Sequence, residues 1–224
     1  MKAFSVAIDG PSGAGKSTIA KFLAEKLNFL YVDTGAMYRS IGLYAARQGV
    51  ASNDAEAVEA LLPQIKLDLA YVDGEQRIFL NGEDVSRAIR TEEASKNASA
   101  VSAIPAVRAF LLEFQRSFAK QNCILMDGRD IGTVVLPDAD VKIFLTASAE
   151  ARAQRRYKEQ VERGEDVTLE AVFEAIRKRD EADSSRAAAP LKAADDAVVV
   201  DTTYLNLEES IAKILGLVEE KLHG

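Results

Sequence analysis

The sequence predicts an α/β protein. Its main feature is a five-stranded parallel sheet covered by helices on both faces, in three layers, with a small antiparallel insertion and a helical lid. Three observations carry this. Five short apolar runs are separated by stretches of helical periodicity, and strands buried on both faces read as continuous apolar runs. A glycine-rich turn joins the first run directly to the first helical stretch, as in a βαβ unit with a right-handed crossover. One segment alternates polar and apolar residues with period two and carries two hairpin dipeptides, so it belongs to a separate antiparallel element.

The five predicted strands are Phe4–Ile8, Phe29–Val32, Cys123–Met126, Val141–Leu145 and Ala197–Val200. Between the first two, Ile19, Phe22, Leu23 and Leu27 recur at helical spacing. In the antiparallel insertion, about Ile65 to Arg90, the alternating residues are Ile65, Leu67, Leu69 and Tyr71, with turns at Asp73-Gly74 and Asn81-Gly82. A helix over Ile104–Phe118 buries Val107, Phe110, Leu111, Phe114 and Phe118, with Pro105 in its first turn. The last helix starts at Asn206, with Glu209 completing a capping box, and its apolar stripe is Ile211, Ile214, Leu215, Val218 and Leu222. No internal repeat, low-complexity tract or flexible linker is visible.

At 224 residues, one globular domain with small appendages fits better than two domains. The net charge of −7 argues against a general binder of nucleic-acid polymers, which needs a basic footprint; local arginines can still hold a small anion. A single cysteine, Cys123, excludes an internal disulfide, and is expected to be a small buried strand residue. The single histidine, His223, stands next to the C-terminal residue, which disfavours histidine-centred catalysis. No apolar run approaches membrane-spanning length and no signal-peptide pattern opens the chain, so a soluble cytoplasmic protein is expected.

Residues Gly10, Pro11, Ser12, Gly13, Ala14, Gly15, Lys16, Ser17 and Thr18 read GPSGAGKST and contain one G-x-x-x-x-G-K-[ST] pattern. The glycines let successive N–H groups turn inward onto phosphate oxygens. The helix that follows presents unpaired N–H groups and its positive end. Lys16 adds a cation for the β- and γ-phosphates, and the Ser17 hydroxyl is a ligand for Mg²⁺. A plain strand-to-helix turn is the alternative, but the strand before and amphipathic helix after are the context that phosphate binding requires. The fold expected is therefore of the P-loop NTPase type. Asp9, just before the loop, is read as capping the turn.

No N-K-x-D base-reading motif is present, which disfavours a GTPase switch. A kinase acting on a small anion needs cations gathered on phosphates, because phosphoryl transfer is chiefly positioning and charge stabilisation. Arginines cluster in three places. Arg152, Arg155 and Arg156 share one helical face ahead of Gly164, suggesting a lid over ATP, or else a solvated basic face. Arg179, Asp183 and Arg186 follow at helical spacing, which an ordinary surface ion pair would also explain. Asp127-Gly128-Arg129-Asp130 directly follows a predicted strand, at the carboxyl end where open sheets bind ligands.

With these motifs in order, the chain resembles the bacterial cytidylate kinases from Val6 to about Thr203. The resemblance rests on GPSGAGKST, DTGAMYR (Asp33–Arg39), NGEDVS (Asn81–Ser86), IRTEE (Ile89–Glu93), DGRDIGTVV (Asp127–Val135), PDADVKIFL (Pro137–Leu145) and RAAAPL (Arg186–Leu191). It implies an ATP- and Mg²⁺-dependent kinase for CMP and dCMP in pyrimidine metabolism, a monomer acting on small nucleotides. Shikimate kinases, the rival within the fold, carry a D-x-D pair and a glycine triplet that are missing here. The family's organisation implies a core at about 1–35, 104–150 and 166–224, a monophosphate-binding region at about 36–103 and a lid at about 151–165.

The resemblance also implies roles. Lys16, Arg39, Arg129 and Arg156 would stabilise charge in transit, with Arg152 on the ATP side. Arg39 and Arg129 would hold the acceptor phosphate, with Thr34 and Tyr38 nearby and Asp127 on the acceptor side. Ser99, Arg108 and Asp130 would read the cytosine edge, a donor beside two acceptors. Arg179 and Asp183 would meet the ribose hydroxyls, and Arg186 would sit between base and phosphate. From the residues alone, Ser99 could equally be helix filler and Arg108 a surface residue.

Overall fold

The computed structural model describes residues 3–72, 75–120, 122–187 and 189–223. In chain order the elements are β1 (Ser5–Asp9), α1 (Lys16–Leu27), β2 (Leu30–Asp33), α2 (Thr34–Arg47), α3 (Ala55–Leu61), β3 (Leu67–Val72), β4 (Glu75–Leu80), β5 (Glu83–Asp84), α4 (Glu92–Val101), α5 (Pro105–Ala119), β6 (Ile124–Gly128), β7 (Val141–Thr146), α6 (Ala149–Glu162), α7 (Leu169–Ser184), β8 (Val198–Asp201) and α8 (Leu207–His223). They form two compact units: Met1–Leu30 with Asn122–Gly224, and Tyr31–Gln121. No helix among the described residues is long and apolar enough to cross a membrane.

The parallel sheet runs β2-β6-β1-β7-β8. All five predicted strands are present, each within a residue or two of its predicted limits. β1 lies in the middle, pairing Ile8 with Asp127 on one side and with Ile143 on the other. Val6, Ala7 and Ile8 are fully buried, as a central strand covered on both faces requires. The connection from β1 leads to one side of the sheet and that from β7 to the other, so the carboxyl end of β1 lies where the strand order reverses. Ligands of open parallel sheets collect there.

In the first unit, α1 packs on β6, and α8 packs on α1 and β7. The predicted capping box of α8 is formed: the Asn206 N–H donates to Glu209 Oε2 and the Glu209 N–H to Asn206 Oδ1, each at 2.9 Å. Phe22 departs from prediction, being 46% exposed. Ala20 and Ala24 share the buried face of α1 with Ile19 and Leu23, which turns Phe22 outward. Cys123 also departs: it is half-buried and lies just before β6. Helices α6 and α7 pack around Ala153, Val172 and Ile176.

The second unit holds the antiparallel insertion, in the order β3-β4-β5. Leu67 faces Leu80 and Leu69 faces Ile78, and Leu67, Ile78 and Leu80 are buried. The Asn81-Gly82 turn has φ of 51° and 86°, the pair of positive angles that a tight hairpin selects Asn-Gly to supply. The other predicted turn, Asp73-Gly74, lies outside the described residues. Helix α2 crosses α4 closely: a Cβ on Gly42 would come within 2.8 Å of Asn97 Cβ. Helix α5 begins at Pro105 as expected. It buries Val107, Leu111 and the polar Gln115, leaving Phe110 37% exposed.

Candidate active site

The phosphate loop leaves β1 at Gly10, whose φ is +146°. A Cβ there would fall 1.9 Å from the Leu145 carbonyl oxygen, so only glycine lets the chain turn against β7. Gly13 and Gly15 also have positive φ, 76° and 88°. Gly15 is the N-cap of α1, and no side-chain hydrogen bond caps that helix among the described residues. The first-turn N–H groups stand at the positive end of the helix, an arrangement that suits an anion.

Lys16 is buried, and its Nζ donates to the Pro11 carbonyl at 2.7 Å. Burial, and next the positive charge of Arg129, push its pKa well below the usual lysine range, while Asp127 and Asp9 oppose that shift. An arriving triphosphate would favour the charged amine. The Ser17 hydroxyl donates to Asp127 Oδ2 at 2.8 Å, which sets two hard oxygens side by side. Thr18 is exposed on the first turn of α1.

Asp9 caps something other than the turn beside it. Its carboxylate accepts the N–H groups of Ile131 and Gly132 at 2.7 Å each, holding the start of the π-helical turn Ile131–Val135 that follows Asp127-Gly128-Arg129-Asp130. Asp127 and Asp130 are both 4% exposed.

Arg129, Arg179 and Arg186 converge on Asp183, which is 1% exposed. Arg129 Nε donates to Asp183 Oδ2 at 2.8 Å, Arg186 donates to Oδ1, and Arg179 Nε lies 4.0 Å from Oδ2. Burial alone would raise the Asp183 pKa, but the charges of Arg129 and Arg186, then Arg179, hold it below the ordinary range.

The three arginines of α6 have separate surroundings. Arg152 is buried and donates to the Ala147 carbonyl at 2.9 Å, to the Ser12 carbonyl of the phosphate loop at 3.0 Å and to Asp180 at 3.1 and 2.6 Å. Arg155 binds the Thr202 and Leu205 carbonyls. Half-buried Arg156 makes no hydrogen bond or ion pair with any described residue. The shared basic face is thus one guanidinium fixing the loop, one fixing a turn and one uncommitted.

In the second unit, Asp33 ends β2 and caps α2, accepting the Ala36 N–H at 2.9 Å. Its other oxygen accepts from Arg39 at 2.8 Å and pairs ionically with Arg90, whose Nη2 lies 3.2 Å away. Thr34 is 3% exposed. Arg108 lies over the Tyr38 ring, 5.8 Å from its centroid, and donates to the Ser102 carbonyl at 3.1 Å. The Ser102 hydroxyl donates in turn to the Ser99 carbonyl at 2.9 Å, so Tyr38, Arg108 and the end of α4 are linked.

The sequence assigned no role to Asp33, Arg90, Ser102 or Asp180, although Asp33 and Arg90 lie within the DTGAMYR and IRTEE motifs; Asp33, standing just before a helix, also carries a capping signal.

Residues 6–220 match the family profile described as Cytidylate kinase. A cytidylate kinase of Shouchella clausii is 51% identical over 219 residues, 98% of this chain and 97% of the relative. One of Leuconostoc mesenteroides is 50% identical over 222 residues, 99% of each chain. Among solved structures, an uncharacterised protein of Eubacterium ventriosum shares the fold, with a TM-score of 0.53 at 13% identity over 98% of this chain and 99% of that one. A profile match over residues 6–220, with relatives at half identity along almost the whole chain, places this chain in the cytidylate kinase family.

Proposed function

We propose that the chain transfers the γ-phosphoryl group of ATP directly to the 5′-phosphate of CMP or dCMP, giving ADP and CDP or dCDP. The observation that carries this is the glycine-shaped loop opening an uncapped α1, with buried Lys16 and the arginine cluster on Asp183 in the same unit. Two polyanions must be brought together, and fixed cations offset their repulsion.

The oxygen of Ser17 and the carboxylate of Asp127 suit Mg²⁺, a hard cation that keeps water and phosphate oxygens in its shell. When bound it would neutralise charge on the β- and γ-phosphates. Lys16 and the α1 amides bind the triphosphate. Arg152 acts through the loop, tying the Ser12 carbonyl to Asp180. Arg156, the uncommitted guanidinium of α6, meets the phosphoryl group in transit. Residues 151–165 form the lid that excludes water.

On the acceptor side, Thr34, Tyr38, Arg39 and Arg129 hold the 5′-phosphate, with Asp127 at its edge. Ser99, Arg108 and Asp130 read cytosine, Arg179 and Asp183 the ribose, and Arg186 the space between base and phosphate. The acceptor phosphate is ionised at neutral pH, so no strong general base is required. The protein then works as a cytoplasmic monomer on soluble nucleotides.

The test is ADP release from Mg–ATP against a panel of nucleoside monophosphates. CMP and dCMP should give the highest kcat/KM, and Lys16→Ala should abolish turnover while leaving the melting curve cooperative. Release of ADP independent of any acceptor, or a Lys16→Ala enzyme with normal turnover, would overturn the proposal.

A further inference from the structure

Two guanidinium groups in the second unit share one carboxylate oxygen. Arg39 Nη2 and Arg90 Nη2 lie 2.8 and 3.2 Å from Asp33 Oδ2, and the Asp33 side chain is 5% exposed. The cluster is built. Asp33 is fixed by capping α2 through its other oxygen. A Cβ on Gly35 would lie 3.0 Å from Arg39 Nη1 and 3.1 Å from Asp33 Oδ1, so the Arg39 guanidinium occupies room that glycine leaves over the first turn of the helix. Arg90 is set by a turn, its N–H donating to the Arg87 carbonyl at 3.1 Å. It immediately precedes Thr91, the N-cap of α4.

The donors outnumber the acceptors. Each guanidinium carries five N–H donors and Asp33 has two oxygens, one already on the Ala36 amide. Arg39 Nε is buried without a hydrogen-bond partner among the described residues. The cluster has one net positive charge beside the positive end of α2, and Arg90 is 48% exposed, open to an incoming ligand. A phosphate monoester dianion, with three terminal oxygens, matches this excess in charge and in acceptor number.

We infer that Arg90 is a second cation for the phosphate of the acceptor nucleotide, converging with Arg39 and aimed by Asp33. The inference rests on the proposed reading of the acceptor side and adds to it a residue from the far end of the antiparallel insertion. Asp33 is then a positioning residue. It keeps two like charges together when no phosphate is present, and shares them when one arrives.

The test compares wild-type protein, Arg90→Ala and Arg90→Lys, measuring the Kd and KM of CMP and the inhibition constant of cytidine, which has the same base and sugar without phosphate. Arg90→Ala should weaken CMP roughly tenfold or more, the effect of one charge-assisted hydrogen bond, with the cytidine constant unchanged. Arg90→Lys should recover part of the loss. If Arg90 only ties down the chain, both ligands weaken alike, or melting falls with neither constant changed, and the inference is wrong. A wild-type protein that phosphorylates CMP, with an Arg90→Ala variant of unchanged CMP constants, would overturn this inference alone. A wild-type protein that binds no CMP would overturn the reading of the whole site.

Discussion

Replacing Asp9 by asparagine should change the pH dependence of stability by a predictable amount. The Asp9 carboxyl is 4% exposed, and its pKa is pushed up from the ordinary 3.8 to about 6. Burial outweighs the two amide donors, Asp130 adds repulsion and Lys16 gives partial relief. Because the folded pKa lies above the unfolded one, the carboxyl favours the fold below 3.8 and that contribution disappears as pH rises through about 6. Above this window, ionised Asp9 costs about 3 kcal/mol relative to its neutral form, at ~1.4 kcal/mol per pKa unit. Asparagine does not titrate. Its amide oxygen can keep one backbone donor while its NH₂ opposes the other, a penalty that is the same at every pH. Between about pH 4 and about pH 7.5, therefore, the variant should gain about 2–3 kcal/mol on the wild type. In a chain of this size that is a shift of roughly 5–10 °C in the difference between their melting temperatures. Thermal melts of both proteins at the two pH values measure it. Turnover should move the other way, falling roughly tenfold to a hundredfold, since Asp9 fixes the turn after Arg129 and small displacements at a reacting site are expensive. A melting difference that is the same at both pH values would refute the reasoning.

Two further substitutions probe the frame around the site. Gly10→Ala would set a Cβ 1.9 Å from the Leu145 carbonyl oxygen at a φ of +146°. It should cost ~4 kcal/mol or more and abolish turnover, and wild-type melting with normal ADP release would contradict that. Asn206→Ala removes half of the α8 capping box. It should cost about 1 kcal/mol, lower the melting temperature by roughly 2–4 °C and leave kcat unchanged, as paired melts and assays would show.

What could be read in the sequence was local. The phosphate loop spans nine consecutive residues, and its conformation follows from glycines whose φ values are 146°, 76° and 88°. The Asn81-Gly82 turn and the Asn206–Glu209 box are equally short-range. Amphipathic faces were legible only in part. Ala20, Ala24 and Gln115 take core positions that a search for large apolar side chains assigns to Phe22 and Phe110. Arg179 and Arg186 stand at helical spacing from Asp183 and could be paired with it from that spacing alone, but the partners of Arg129 and Arg152 were not legible, because the fold supplies them from far away. Arg152 meets Asp180 at 28 residues' separation and Arg129 meets Asp183 at 54. Asp9 illustrates the same limit: proximity suggests that it caps the adjoining turn, but the amides it holds are more than a hundred residues away.

The arginine–carboxylate pairing explains how a chain of net charge −7 can be built for anionic ligands. Guanidinium groups at hydrogen-bonding distance from a common point repel one another, and repulsion in a partly buried setting is only weakly screened. In each unit a buried carboxylate relieves it: Asp183 among Arg129, Arg179 and Arg186, and Asp33 between Arg39 and Arg90. Neither carboxylate is a match for its arginines, because each leaves net positive charge and more donors than acceptors. Such a cluster is stable enough to fold around and short enough of negative charge to take up phosphate, so much of the ordering entropy of the arginines is spent in folding rather than at each binding event. The excess of acidic residues elsewhere on the chain does not weaken this, since beyond about 10 Å exposed charges are screened at moderate salt. Affinity for a small anion depends on the local surplus of donors, which the overall charge of the protein does not reveal.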